Sequence, residues 1–464
     1  SPGLAEAPWR ESGQAVPVPE GTPTELGLAG FAKILCSSVF VTGRQPDEGA
    51  KNSAYWMMPA GEADKVTYTI DRAQKRVTAK IGDITRWAGY YGDQGCILPA
   101  HGTDHIMFTP VAVKTTLPDA AGMPWPMGDQ ADTTPLPAEV DKATLNAAVD
   151  AAFADGDALT AAFVVVYKGH VIAERYGQGA TKDTQLESWS MGKSVVATLF
   201  SLLVKDGTYT LDQPAPVPLW QAPGDPRGKI RNVDLLHMSG GLKFVGNQEP
   251  RDAGYTGYSD HYYVYTGGVD VYAYSINRPS EFPPNTQGRY RNCDPMTIGY
   301  LTKMAVTKRG ENYLAWPQKA LFDQIGVRRH VIEPDPYGNF IGTGYDFGTA
   351  RNWARLGLLY EQDGMWNGRR ILPEGWSTFV STLAPAWPRP VYGGFFWING
   401  DGAWNLPKET YLMAGAGGQN VWIDPSHHLV VVRMGHFRGT VGRHSTTSAN
   451  AALSLVVKAV EGHR

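Results

Sequence analysis

Ser190-Met-Gly-Lys193 sets a hydroxyl and an amine three residues apart. On a helix those two positions share a face, so the lysine can reach the serine. A serine hydroxyl is a weak nucleophile until a neighbouring base takes its proton. Val195, Val196, Leu199 and Phe200 follow, and an apolar surround would lower the lysine pKa toward that of a usable base. A helix beginning at Ser190 would also offer partial positive charge to a developing oxyanion. Lys193 is the one lysine in the chain with a serine three positions before it. The plainer alternative is a surface serine and lysine on an amphipathic helix.

Two further stretches could serve such a nucleophile. In Tyr290-Arg-Asn292, a tyrosine near an ammonium group can shuttle a proton, and the asparagine amide can orient a substrate carbonyl or the lysine. Tyr337-Gly-Asn339 repeats the pattern, but its Pro-Asp-Pro lead-in is turn composition, whereas a long apolar helix follows Tyr290. A half-buried packing tyrosine is the alternative for Tyr290. Gly415-Ala-Gly-Gly-Gln419 leads into a strand, not a helix, so it does not read as a phosphate loop. Glycines at a strand edge let a ligand approach the backbone, and an N–H there could join that of Ser190 in an oxyanion hole. The alternative is a tight turn or bulge.

The histidines offer less. His237 reads as structural, His101 and His105 as a loop pair, and His427 and His428 as exposed turn residues. No Gly-x-Ser-x-Gly accompanies a Ser/Asp/His order, which argues against an α/β-hydrolase. None of Cys36, Cys96 and Cys293 has a neighbouring zinc-like pattern. Cys36 and Cys96 are the pair expected to bridge if the compartment is oxidising; three free buried thiols are the alternative.

The elements that must hold these groups follow from periodicity. Residues 1–25 are rich in Pro, Gly and Glu and read as an extended tail. Residues 26–117 show short strand-like runs, with Val66–Ile70 and Arg76–Ile81 as a hairpin, and read as a small accessory domain. Residues 118–137, holding five prolines, read as a linker, and 138–464 as the catalytic domain. Within it, Ala138–Ala154 has helical period. Ala161–Tyr167 and Val171–Tyr176 form a hairpin about Lys168-Gly169-His170. Helices are expected over Ser188–Val204, Pro295–Lys308, Thr349–Asp363 and Ser448–Val460. Strands are expected over Gly393–Ile398, Asn420–Ile423 and Leu429–Met434. A sheet split in sequence, with helices inserted between its parts, leaves a cleft between sheet and lobe, where small-molecule sites prefer to lie.

Composition bounds the partners. Of 464 residues, 42% are hydrophobic and 19% charged, an ordinary globular balance. The net charge of −3, without a Lys/Arg block, leaves no footprint for nucleic acid. The longest apolar run, taken as Ser194–Val204, is too short to span a bilayer. A start at Ser1 fits a mature chain after signal removal, periplasmic or secreted, or else a cytoplasmic protein. Tyr255, Tyr258, Tyr262, Tyr263 and Tyr265 suggest either an aromatic-lined pocket or a packed loop.

Taken in order, the three motifs resemble serine hydrolases of the class C β-lactamase and DD-peptidase type, with the family VIII carboxylesterases and 6-aminohexanoate-dimer hydrolases most similar. Leu235–Leu242, Ala350–Leu359 and Trp366–Trp376 also look like that family. The resemblance covers about Ala138 to the C-terminus. It implies an α+β fold: an antiparallel sheet flanked by helices plus a helical lobe. It also implies that Ser190 attacks, Lys193 and Tyr290 share the proton work, and Asn292 positions the substrate. Ala416-Gly417-Gly418 falls where the family has a Lys/His-Thr/Ser-Gly triplet, so Gly417 and Gly418 would line the substrate and the N–H of Gln419 would complete the oxyanion hole. The family's leading cation is absent, which favours a small ester or amide substrate over a β-lactam or D-amino-acid peptide, unless Arg433 or His436 replaces the charge. No metal or organic cofactor is implied. A covalent sensor that acylates without turnover is the non-enzymatic alternative.

Overall fold

The computed structural model describes residues 16–247, 257–439 and 441–462. Residues 1–15 of the expected tail, and Tyr255, lie outside them. The described chain opens with helix α1, Pro23–Cys36, in place of the short strands expected from Leu26 onward. Its start is written in the sequence. The Thr22 side chain accepts from the N–H of Glu25, Glu25 accepts from the N–H of Thr22, and Pro23 takes the first helical position. Leu28, Phe31, Ala32, Leu35 and Cys36 are fully buried, so this is a core helix. The apolar stretch Pro23–Val41 is longer than Ser194–Val204 and by length and composition could cross a membrane; most of it is covered by protein.

Strands β1 (Thr67–Asp71), β2 (Arg76–Ile81), β3 (Ile84–Tyr90) and β4 (Cys96–Ile97) form an antiparallel meander against α1. A disulfide joins Cys36 of α1 to Cys96 of β4, with Cα atoms 5.9 Å apart. Cys293 is buried and free. Residues 26–117 do not stand apart from the rest. Phe31, Leu35, Val77 and Ala88 share one hydrophobic cluster with Trp189, Leu199 and Tyr265.

The larger sheet begins after helix α2, Lys142–Phe153. Strands β5 (Thr160–Tyr167) and β6 (His170–Tyr176) form the expected hairpin. A second, small sheet then starts with β7, Leu186–Glu187. Helix α3, Gly192–Lys205, follows. The lobe includes α4, Asp260–Thr266, and α5, Cys293–Lys308. Strands β8 (Val331–Ile332) and β9 (Asp346–Gly348) complete the small sheet in the order β7–β9–β8. Helix α6, Ala350–Glu361, leads toward β10, Trp397–Ile398, which is shorter than the Gly393–Ile398 run expected. Strands β11 (Tyr411–Gly415), β12 (Gln419–Asp424) and β13 (Leu429–Gly435) precede the closing helix α7, Val441–Glu461. The six-stranded antiparallel sheet runs β10–β11–β12–β13–β5–β6.

Alternation sorts β5 between two apolar layers. Phe163, Val165 and Tyr167 join Leu145, Val149, Leu453 and Val456 of α2 and α7, while Val164 and Val166 join Leu356 of α6. Gly357 lets α6 lie directly on the sheet, since a Cβ there would fall 2.6 Å from Val430 and 2.8 Å from Val421. Residues 118–137 are not a free tether. Trp125 is buried, and Arg355 of α6 donates to the carbonyls of Pro126 (2.7 Å) and Gly128 (2.8 Å) and to Asp129 (2.6 Å).

Candidate active site

Ser190 sits in a short 3-10 turn, Trp189–Met191, that feeds α3. Trp189 holds φ at +46°, a left-handed conformation unusual for a bulky residue. Its ring is fixed edge-on against Trp56 at 5.1 Å and Tyr265 at 5.9 Å. The turn leaves Ser190 half-buried, while Lys193 behind it is 2% exposed. Lys193 Nζ lies 3.0 Å from Ser190 Oγ and 2.8 Å from the carbonyl oxygen of Thr343. Burial drives the Lys193 pKa well below the ordinary lysine value, and Asp346 only partly opposes it. Gly192 makes room for this arrangement, since a Cβ would stand 2.4 Å from the Gly342 carbonyl oxygen and 2.6 Å from Asp346 Oδ1. His330 holds the other Asp346 oxygen at 2.7 Å.

Tyr290 joins the pair from the loop before α5. Its ring centroid is 4.6 Å from Lys193 Nζ, and its ring packs on Trp397 at 5.3 Å. Burial pushes its phenol pKa up, with the Ser190 hydroxyl pulling the other way. Asn292, fully buried, donates to the His261 carbonyl at 3.1 Å, with its amide nitrogen 3.3 Å from His261 Nδ1. Burial, with the charges of Lys193 and Arg291, lowers the His261 pKa to about 3, so this ring stays neutral at working pH. The rival pair lies elsewhere: Tyr337 is exposed, and Asn339 is taken up by Lys303, Asp270 and Asp335.

The hairpin between β11 and β12 places Gly415 nearer Ser190 than the expected Gln419. The strand residue against Ser190 is Gly415: a Cβ there would meet the Ser188 carbonyl oxygen at 2.1 Å and the Ser190 nitrogen at 2.8 Å. Gln419 pairs with Gly415 from the neighbouring strand, and its buried side chain bonds both backbone groups of Gly435. Gly417 and Gly418 turn the hairpin at φ +86° and +76°. Their carbonyl oxygens are held by buried Arg433, at 2.7 and 3.2 Å. Arg433 is thus spent on the turn and on the Ala158 carbonyl. His436 is likewise spent, 2.5 Å from Glu187. Neither supplies the cation that the triplet lacks.

Sequence reasoning missed His261, Thr343, Asp346 and Trp56. They come from the helix α4, a loop, the strand β9 and the N-terminal segment, and none stands in a motif. Of the tyrosine run, Tyr263 and Tyr265 are buried in α4, and Tyr262 remains half-exposed. His237 is stacked on Phe379 at 5.3 Å. Asp155, Asp157 and His444 bring three possible metal-ligand atoms within 4.8 Å of one another. The His444–Asp155 ion pair at 2.6 Å accounts for that cluster.

A half-exposed serine with a desolvated amine on its hydroxyl, at the head of a helix beside an antiparallel sheet, defines a class of hydrolase-like folds. The chain belongs to the β-lactamase family, whose model matches residues 145–455. The 6-aminohexanoate-dimer hydrolase of Paenarthrobacter ureafaciens is 22% identical over 306 residues, which is 61% of this chain and 74% of that protein. A family VIII carboxylesterase structure superposes with a TM-score of 0.51 at 15% identity, covering 68% of this chain and 98% of that one. A penicillin-binding protein homologue from Caulobacter crescentus gives 0.52 at 16% identity, covering 70% of this chain and all of that one. These likenesses establish the fold, and the family is one of hydrolases.

Proposed function

We propose that this protein cleaves an ester or amide bond of a small substrate through an acyl-enzyme on Ser190. The observation that carries the reading is Lys193 Nζ at 3.0 Å from Ser190 Oγ, buried and depressed in pKa. An amine that burial makes easier to deprotonate can take the serine proton as Oγ bonds the acyl carbon. The proton then passes to the leaving alcohol or amine, with Tyr290 bridging between Lys193 and the leaving atom. Water, activated by the same pair, cleaves the acyl-serine ester and restores the Ser190 hydroxyl. Asn292, steadied by His261, orients the substrate. The oxyanion is taken by the N–H of Ser190 and, in place of Gln419, by that of Ala416, the exposed residue that follows Gly415.

The hairpin offers no free cation, which favours a neutral ester or amide over a carboxylate-bearing β-lactam. The Cys36–Cys96 bridge suits an oxidising compartment and supports a periplasmic or secreted enzyme. The test is hydrolysis of p-nitrophenyl butyrate by wild type and by Ser190→Ala, with nitrocefin alongside. Ester turnover is expected to vanish in the variant, and nitrocefin cleavage to stay low in both. Equal ester rates in the two proteins would remove Ser190 from the mechanism.

A further inference from the structure

The family match begins at residue 145, yet residues of the N-terminal segment reach the Ser190 turn. Trp56 is the point of contact. Its ring packs edge-on against Trp189 at 5.1 Å, Phe437 at 4.8 Å and Tyr262 at 5.9 Å. Trp189 immediately precedes the serine. Phe437 touches the glycine turn, because a Cβ on Gly417 would stand 2.8 Å from the Phe437 Cβ. Trp56, Tyr262 and Phe437 are all half-exposed, as is Ser190, and Ala416, at the start of the glycine turn, is exposed. Three unfinished aromatic surfaces therefore lie around the turn and hairpin that frame the reactive hydroxyl.

The segment carrying Trp56 is fastened down at both ends of the site. The Phe437 N–H donates to the Asn52 carbonyl oxygen at 2.7 Å. Arg44 donates to Ser53 at 2.7 Å and to Glu187 at 3.3 Å, and Ser53 donates to the same Glu187 oxygen at 2.9 Å. Glu187 in turn holds His436 at 2.5 Å. Glu187 stands three residues before Ser190, and His436 stands next to Phe437. The buried ionic cluster thus locks residues 44–56 to the serine turn and to the end of β13. A wall held this rigidly can discriminate between substrates by shape.

We infer that the N-terminal segment is part of the active site and that Trp56 is its specificity-determining residue, forming with Tyr262 and Phe437 an aromatic wall for an apolar or ring-bearing group adjoining the scissile carbonyl. This rests on Ser190 as the reactive centre. A flat apolar wall gains from burying methylenes and from ring stacking, and offers nothing to an acetyl group. The substrate class is therefore an ester or amide with a bulky apolar substituent beside the bond.

The experiment compares kcat/KM for p-nitrophenyl acetate, butyrate and phenylacetate, and for methyl and benzyl acetate, in wild type, Trp56→Ala and Trp56→Phe. In wild type the larger group is preferred in at least one series. In Trp56→Ala that preference, read as the ratio of kcat/KM values within each series, falls by about tenfold, and Trp56→Phe retains most of it. Equal losses on all substrates in Trp56→Ala, with the preference intact, would overturn the wall and leave Trp56 as a support for Trp189. Ser190→Ala, assayed in parallel, keeps the two readings separate. Residual turnover there overturns the nucleophile and the wall with it, whereas an inactive Ser190→Ala with an unchanged selectivity ratio in the Trp56 variants overturns the wall alone.

Discussion

Among the described residues two buried lysines are hydrogen-bonded to a serine, and they differ in what surrounds them. Lys33 donates to Ser37 at 2.9 Å, one turn on, at the residue that caps α1. It also pairs with Glu333, to which Ser37 gives its proton at 2.8 Å, while the N–H of Cys96 donates to the same carboxylate at 2.6 Å. Lys33 further lies 3.5 Å from the Tyr345 ring centroid. Every group there is satisfied, and Ser37 is completely buried. Lys193 has the same bond to its serine but no carboxylate within salt-bridge reach among the described residues, and its serine is half-exposed. A serine–lysine contact is therefore not chemistry by itself. The counter-charge decides whether the amine can be neutral, and access decides whether the hydroxyl can meet a substrate.

The comparison can be broken by exchanging roles. Lys193→Met is expected to lower kcat on p-nitrophenyl butyrate at least about a thousandfold, since it removes the base without moving the fold. Lys33→Met leaves kcat per folded molecule within about threefold but costs about 3–5 kcal/mol of stability in urea melts, because Glu333 stays buried without its cation. If Lys33→Met abolished activity in fully folded protein, the division between a structural and a catalytic pair would fail.

A second variant sharpens the structural half. Adding Glu333→Gln to Lys33→Met removes the stranded charge and is expected to recover part of the lost stability, by about 1–3 kcal/mol, with the denaturation midpoint as the readout. No recovery would show that Lys33 acts through packing on Tyr345 and not through its ion pair.

The smallest expected effect is a displaced pH limb. Lys193 must be neutral to accept the proton, and burial lowers its pKa. The rate constant kcat/KM should therefore rise with pH through an apparent pKa well below the ordinary lysine value, about tenfold per unit on the acid side. The linked stability has the same sign. Between the folded and unfolded pKa values the unfolded chain binds the extra proton, so this site makes the fold less stable as pH falls through that window. Lys193→Met should lose that component. A limb near the ordinary lysine value would mean that the amine is not desolvated in solution.

The contact of Lys193 with Ser190 was legible because helix spacing and apolar context are local properties, whereas the approach of Tyr290 to Lys193 is a tertiary one. The β5–β6 and β12–β13 hairpins were legible because short apolar runs bounded by turn residues mark buried strands. Helix α1 was equally present in the sequence, in Thr22, Pro23 and Glu25, but its nearly all-apolar run hides helical period, and the strands after it drew the reading toward β structure. Motif counting cannot say which residue of a hairpin touches a neighbour: Gly415, and not a residue of the Ala416–Gln419 run, is the one that backs directly onto Ser188 and Ser190.

By itself the sequence determined most of the elements and the helix that follows Ser190, for these depend on residues within a turn or two of one another. The tertiary structure decided what depends on charges and rings far apart in the chain. Glu333 comes 300 residues after Lys33 to neutralise it. Thr343 comes 150 residues after Lys193 to hold it without neutralising it. Trp56 arrives from outside the family core to wall the site. Electrostatics and packing act through space, so no local pattern could have told the two serine–lysine pairs apart.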